Sequence, residues 1–115
     1  MIILQILKII SAIGTIATGL LSLFWPRSVY GFTGLIASGP RGITEIRAVL
    51  GGLFIGIGLA PFILQQSPLV YKTLGIMYLA IALVRLISMI LDKSVVRSNV
   101  ISWVVEIVLG IILVL

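Results

Sequence analysis

The sequence predicts an all-α integral membrane protein, a four-transmembrane-helix bundle, on three observations. The chain is 61% hydrophobic and 10% charged, with a mean hydropathy of +1.36, whereas charged residues make up about a quarter of an ordinary soluble domain. Its apolar residues gather in four stretches, each close to or above the ~20 residues that carry a helix across a bilayer core. Prolines and short polar clusters separate the stretches, at Pro26, at Gln65-Gln66-Ser67 and from Asp92 to Asn99. Everything fits one small unit, so residues 1–115 are read as a single membrane domain.

Helix 1 is expected over 3–25 and stops at Pro26. It is too long and uniformly apolar for the core of a cleavable signal, and no basic segment precedes it, so it reads as a span. Helix 2 is expected over 43–64, with Pro61 placed to kink it. Helix 3 is expected over 68–91, with Pro68 in its first turn, where the missing N–H costs nothing. Helix 4 is the shortest, 100–115, with Ser98 or Asn99 as the capping residue. The connection 27–42 holds four glycines (Gly31, Gly34, Gly39 and Gly42), Pro40, Tyr30 and Phe32. It reads as an interfacial loop with aromatic anchors, a partly re-entrant segment being the alternative.

Composition also excludes function classes. Without cysteine there is no disulfide, thiolate metal site or c-type haem attachment. Without histidine the commonest metal ligand and general base are missing. Three acidic residues in the whole chain make a dedicated metal site unexpected, and nothing calls for a cofactor. The net charge of +5 comes without any run of Lys or Arg, so nucleic-acid binding has no footprint. The basic residues instead bear on orientation. Arg27, Arg41, Lys93 and Arg97 fall on the side of the long loop, and Lys72 and Lys8 on the other. Positive-inside logic makes the long loop cytoplasmic in a cell (inner) membrane. The bias is small enough to leave dual-topology dimers open. No internal repeat supports an inverted-repeat transporter within one chain.

The polar residues inside the spans carry the functional reading. A carboxylate at membrane depth costs about 3 to over 10 kcal/mol, and such a group has a partner and faces an interior or a watery cavity. Glu106 is that carboxylate, and Arg85 in the preceding helix is the partner the sequence offers. Each lies about 10 Å inside its helix end, Arg85 counted back from Asp92 and Glu106 counted forward from Asn99, so the two are expected to be level. Tyr71, Tyr78, Arg85 and Asp92 form a heptad-spaced stripe, with Gly75, Ala82 and Ser88 beside it. Helix 4 carries Asn99, Ser102, Glu106 and Gly110 at helical spacing. Helix 1 carries Lys8, Ser11, Thr15, Thr18 and Ser22 in steps of three and four, a coiled-coil seam written in polar residues. Helix 2 has Glu45, Ala48, Gly52 and Gly56 on one side, and Arg47, Gly51 and Gly58 nearly opposite. Close packing on both sides is expected there.

Most of these features have a plainer reading. An Arg85–Glu106 pair also serves as helix glue. Glu45, Arg47 and Lys8 can snorkel to the headgroups. The tyrosines suit packing, and Ser and Thr in helix 1 suit bonds to their own backbone.

The run Glu45-Ile46-Arg47-Ala48-Val49-Leu50-Gly51-Gly52, then Gly56 and Gly58, then Arg85-Leu86-Ile87-Ser88 with Asp92, then Glu106, resembles a family of small four-helix bacterial membrane proteins. That family is catalogued as a domain of unknown function, number forty-three forty-five, and is loosely similar to DoxX-like bundles. The resemblance spans helices 2 to 4. Leu50 departs from it, an aromatic residue being expected there. It implies an architecture and shared polar positions at Glu45, Arg47, Arg85, Asp92 and Glu106, and no activity.

Several function classes compete. The preferred one is a binding or accessory protein for a small amphipathic ligand of the lipid, quinone or isoprenoid type. Arg85, Glu106, Glu45, Arg47, Ser88, Tyr78 and Ser102 would line the site, and Gly51, Gly52, Gly56 and Gly58 would pack the helices. The alternative is a dimeric proton-coupled transporter similar to small multidrug-resistance exporters, with Glu106 exchanging protons. Those exporters carry their carboxylate in the first helix, and helix 1 here has none. Catalysis by Glu106, Glu45 or Tyr78 is the least favoured reading. Membrane lipids and either a second copy or a larger membrane complex complete the expected partners.

Overall fold

A computed structural model describes all 115 residues, and all of its regular secondary structure is helical, with no strand. The first long helix, α1, runs Ile2–Phe24. A single 3-10 turn over Pro26–Val29 and the short α2, Tyr30–Thr33, follow Trp25. The second long helix is built in three pieces, α3 over Pro40–Glu45, a π-helical stretch over Ile46–Leu53 and α4 over Phe54–Ile63. Next come α5, Pro68–Leu91, and α6, Arg97–Val114. Four helices, Ile2–Phe24, Pro40–Ile63, Pro68–Leu91 and Arg97–Val114, are long and apolar enough to cross a membrane. The chain is a multi-pass membrane protein, and large apolar side chains such as Leu83 and Ile90 stand 60% and 66% exposed, as a lipid-facing surface requires.

Helix ends follow local chemistry. Pro26, Pro40 and Pro68 each occupy a first-turn position, where proline's fixed φ favours the helix and its absent N–H is not missed. Pro40 therefore starts the second long helix three residues before the expected Ile43. Gly39 just ahead of it has φ +142°, and Gly34, which ends α2, has φ +75°, conformations open to glycine at little cost. The expected interfacial loop is thus partly helical. The last helix also starts early, at Arg97 rather than Val100. Its N-cap is Val96, in an extended conformation with no side-chain cap bond. Neither Ser98 nor Asn99 caps the helix.

The chain divides into two compact units. One comprises Ile9–Gln65, the greater part of α1 and the second long helix. Its packing rests on glycine. A Cβ on Gly19 would lie 2.8 Å from the Gly51 carbonyl oxygen, and one on Gly58 would lie 3.0 Å from the Ala12 carbonyl oxygen. A Cβ on Gly51 would lie 3.2 Å from the backbone of Leu23. The helices meet backbone to backbone, the approach that small residues permit in membranes. Gly52 and Gly56 do not take part. Gly56 has open space around it, and Gly52 meets only the Arg47 carbonyl oxygen of its own helix. Within this unit the close approach runs through Gly51 and Gly58. Thr15, Thr18 and Ser22 donate to the carbonyls of Ser11, Gly14 and Thr18, one turn earlier. This satisfies hydroxyls that no water reaches.

The other unit comprises Met1–Lys8 and Gln66–Leu115, with α5 against α6. α5 buries Tyr71, Leu74, Gly75, Tyr78, Ala82 and Met89, close to the stripe read from the sequence. α6 buries Glu106, Gly110 and Leu113. A Cβ on Gly75 would lie 2.9 Å from the Gly110 carbonyl oxygen and 2.7 Å from Val114 Cγ1. The turn between the second long helix and α5 places Gln65 and Gln66 at φ +57° and +54°. The Gln66 side-chain oxygen accepts from Gln5 Nε2 at 2.9 Å and from the Tyr71 hydroxyl at 3.3 Å. Lys8 is only 8% exposed. No fully buried side-chain nitrogen lacks a partner, so its stem is buried while its ammonium reaches the surface.

Two alanine substitutions separate the packed glycines from the open ones. Gly75→Ala forces α5 and α6 apart and is expected to cost about 1–3 kcal/mol. Gly56→Ala meets nothing and is expected to be neutral, or stabilising by up to ~1 kcal/mol through helix propensity. Thermal unfolding of the detergent-solubilised protein, followed by circular dichroism, checks both.

Candidate functional site

Arg85 lies on α5 six residues before its C-terminal end at Leu91, and Asn99 and Glu106 lie seven residues apart on α6. Seven residues are two helical turns, so Asn99 and Glu106 share the face turned toward Arg85. Arg85 Nε donates to Glu106 Oε1 at 2.7 Å and Nη2 donates to Oε2 at 2.7 Å. This is the two-pronged fork that guanidinium and carboxylate geometry favour. Arg85 Nη1 donates to Asn99 Oδ1 at 2.8 Å. Asn99 is itself held by a bond from Nδ2 to the Ser94 carbonyl oxygen at 3.0 Å. The loop between the helices thereby fixes the asparagine that fixes the arginine.

The burial is uneven. The Glu106 side chain is 12% exposed and that of Arg85 is 30%. A guanidinium has five N–H donors. Three are used, and one on each terminal nitrogen is left without an acceptor on the chain. Arg85 lines an open groove of about 480 Å³ together with Ala80, Ile81, Val84, Ser88 and Asn99. Ser88 gives its proton to Asp92 Oδ2 at 2.6 Å, so its oxygen remains an acceptor. The groove thus joins an apolar ledge to a polar end.

The residues singled out from sequence fall into three places. Arg85, Glu106 and Ser88 meet at this cluster. Tyr78, 6% exposed, and the half-buried Ser102 flank it on α5 and α6 without lining the groove. Glu45 and Arg47 belong to the other helical unit. Glu45 forms an exposed ion pair with Arg41 one turn earlier. Arg47 lines a separate groove with Arg27. Asn99 was expected to cap a helix and is instead the third member of the cluster. Its heptad spacing to Glu106 was the available signal. Gly19, absent from the expected packing residues, could have been found from its four-residue spacing to Thr15.

Residues 3–115 match the model of a family described as Domain of unknown function (DUF4345). No curated protein and no solved structure matches the chain.

The cluster's energetics are open to a mutant cycle. Removing one member of a fully buried ion pair costs about 3–5 kcal/mol. The partial exposure of Arg85 lowers this, so Arg85→Met or Glu106→Leu alone is expected to cost about 1–3 kcal/mol. The double variant is expected to be more stable than either single one, since it leaves no unpaired charge. Asn99→Ala is expected to cost about 1 kcal/mol. Equilibrium unfolding in mixed detergent micelles measures all four.

Proposed function

We propose that this chain, which belongs to the DUF4345 family, binds the polar head of a small amphipathic molecule at Arg85. The observation that carries the reading is the unequal treatment of the two charges. Glu106 has both oxygens occupied by Arg85, whereas Arg85 keeps two unused donors beside a groove with an apolar ledge. Helix glue accounts for the fork and leaves the spare donors and the groove without a role. An acceptor-rich head of the lipid, quinone or isoprenoid type suits those donors, and its tail suits Ala80, Ile81 and Val84. Glu106 and Asn99 act as positioning residues that hold the guanidinium plane.

The same geometry weakens the proton-coupled exporter reading. A carboxylate that must exchange protons against a cationic substrate needs access and a free oxygen, and here a fixed cation holds both oxygens. Further elements of the proposal rest on topology and charge. Four successive crossings leave Arg27, Arg41, Lys93 and Arg97 on one side, which supports an inner-membrane protein with its long connection cytoplasmic. Gly52 and Gly56, open in the single chain, leave room for a second copy or a larger membrane complex. The likeness to DoxX-like bundles and the Glu45–Gly52 run as a family signature belong to the same reading.

Native mass spectrometry of the protein released from mild detergent tests the proposal. The wild type is expected to carry a discrete bound mass, and Arg85→Gln to lose it. Glu106→Gln is expected to retain it at reduced occupancy, since Arg85 survives in a looser position. An empty wild type, or a mass retained in full by Arg85→Gln, contradicts the proposal.

A further inference from the structure

The second groove, in the Ile9–Gln65 unit, has a different character. It encloses about 360 Å³ and is lined by Arg27 and Arg47, with Phe24, Trp25 and Ile43 among its walls. Arg27 follows the end of α1 and sits in the 3-10 turn, while Arg47 lies in the π-helical stretch. Two elements thus bring two arginines to one concavity. Neither has an ion-pair or hydrogen-bond partner on the chain.

Counting the carboxylates strengthens the point. The chain has three acidic side chains; Glu45 is paired with Arg41 and Glu106 with Arg85, and none of the three lines this groove. Arg27 and Arg47 therefore face no carboxylate there, so their counter-charge comes from outside. Position adds to this. A 23-residue helix rises about 35 Å, slightly more than a ~30 Å hydrocarbon core. The end of α1 therefore lies at the membrane boundary. Trp25 and Phe24 pack edge to face there, with ring centroids 6.0 Å apart, as interfacial aromatics do.

The geometry points to a binding site for a phosphate-bearing amphiphile, in which Arg27 and Arg47 hold the phosphate oxygens and Phe24, Trp25 and Ile43 receive the first part of the acyl or isoprenyl chain. Paired arginines match phosphate oxygens by charge-assisted hydrogen bonds, and the aromatic wall suits the headgroup boundary. A phosphate can come from a lipid headgroup or from free solution, and the apolar wall favours the lipid. This site is independent of the Arg85 groove and stands or falls without it.

Trp25 is a built-in reporter, since Trp103 is the only other tryptophan. In a Trp103→Phe background in neutral detergent, Trp25 emission is titrated with phosphatidylglycerol, diacylglycerol and inorganic phosphate. The expected result is a saturable change with phosphatidylglycerol, little with diacylglycerol, which lacks the phosphate, and none with inorganic phosphate at the same concentration. Arg27→Gln and Arg47→Gln are each expected to raise the half-saturating concentration roughly tenfold or more, the loss of one charge-assisted contact. Arg97→Gln, which removes an equal exposed charge without freeing a carboxylate, is expected to change it less than about twofold. Arg47→Lys, which keeps the charge and loses the fork, gives an intermediate value if a variant with a milder change is needed to preserve folding. Equal responses to the two lipids leave apolar partitioning as the cause and overturn the phosphate contact, and equal weakening by Arg97→Gln overturns the site in favour of diffuse surface charge. Saturation by inorganic phosphate alone overturns the lipid assignment.

Discussion

In hydrocarbon no water completes a hydrogen bond, so every polar group must find its partner within the protein or end at the surface. The arrangement of this chain follows from that constraint. Its most demanding case is Arg85, whose guanidinium is held by Glu106 through two bonds of 2.7 Å and by Asn99 through one of 2.8 Å. Asn99 is held in turn by Ser94. The hydroxyls of α1 meet the same demand more cheaply, each donating to a carbonyl one turn back. Lys8 meets it by extending its ammonium to the surface.

Glycine is the second half of the scheme. A short ion pair across two helices needs those helices close, and Gly75 and Gly110 let α5 and α6 approach to near backbone contact. In the other unit Gly19, Gly51 and Gly58 do the same for α1 and the second long helix. There two arginines line one groove that holds no carboxylate. With three acidic side chains against eight basic ones, most of the positive charge has no internal partner. The surplus of positive charge is then free to meet anions at the membrane boundary.

Much of this was legible in the sequence because hydrophobic length and charge depth are strong signals. The third helix was expected at 68–91 and spans Pro68–Leu91. Arg85 and Glu106 were placed level by counting 1.5 Å per residue from polar ends. The starts of two helices were less legible. Asn99 resembles a cap until its side chain is seen to be claimed by Arg85, a tertiary demand that overrides local capping preference. Pro40 at a first-turn position was the better start signal than the apolar boundary at Ile43. The π-helical stretch at Ile46–Leu53 carries no composition signature, since it changes hydrogen-bond register and not residue type. The two glycine faces of the second long helix looked alike in sequence. Only the backbone distances distinguish Gly51 and Gly58 from Gly52 and Gly56.

The central claim is that Arg85 is fixed by its own helices yet keeps donors for a ligand. Nitrogen-15 NMR of arginine-labelled protein tests it most directly, with the Arg85 signals assigned by comparison with Arg85→Lys. The protein is reconstituted once in phosphatidylcholine and once in a total lipid extract of the expression host. The account predicts that the Nη resonances shift between the two preparations while Nε, bound to Glu106, stays in place. Identical Nη resonances in both would contradict it and leave the cluster as a structural clamp alone.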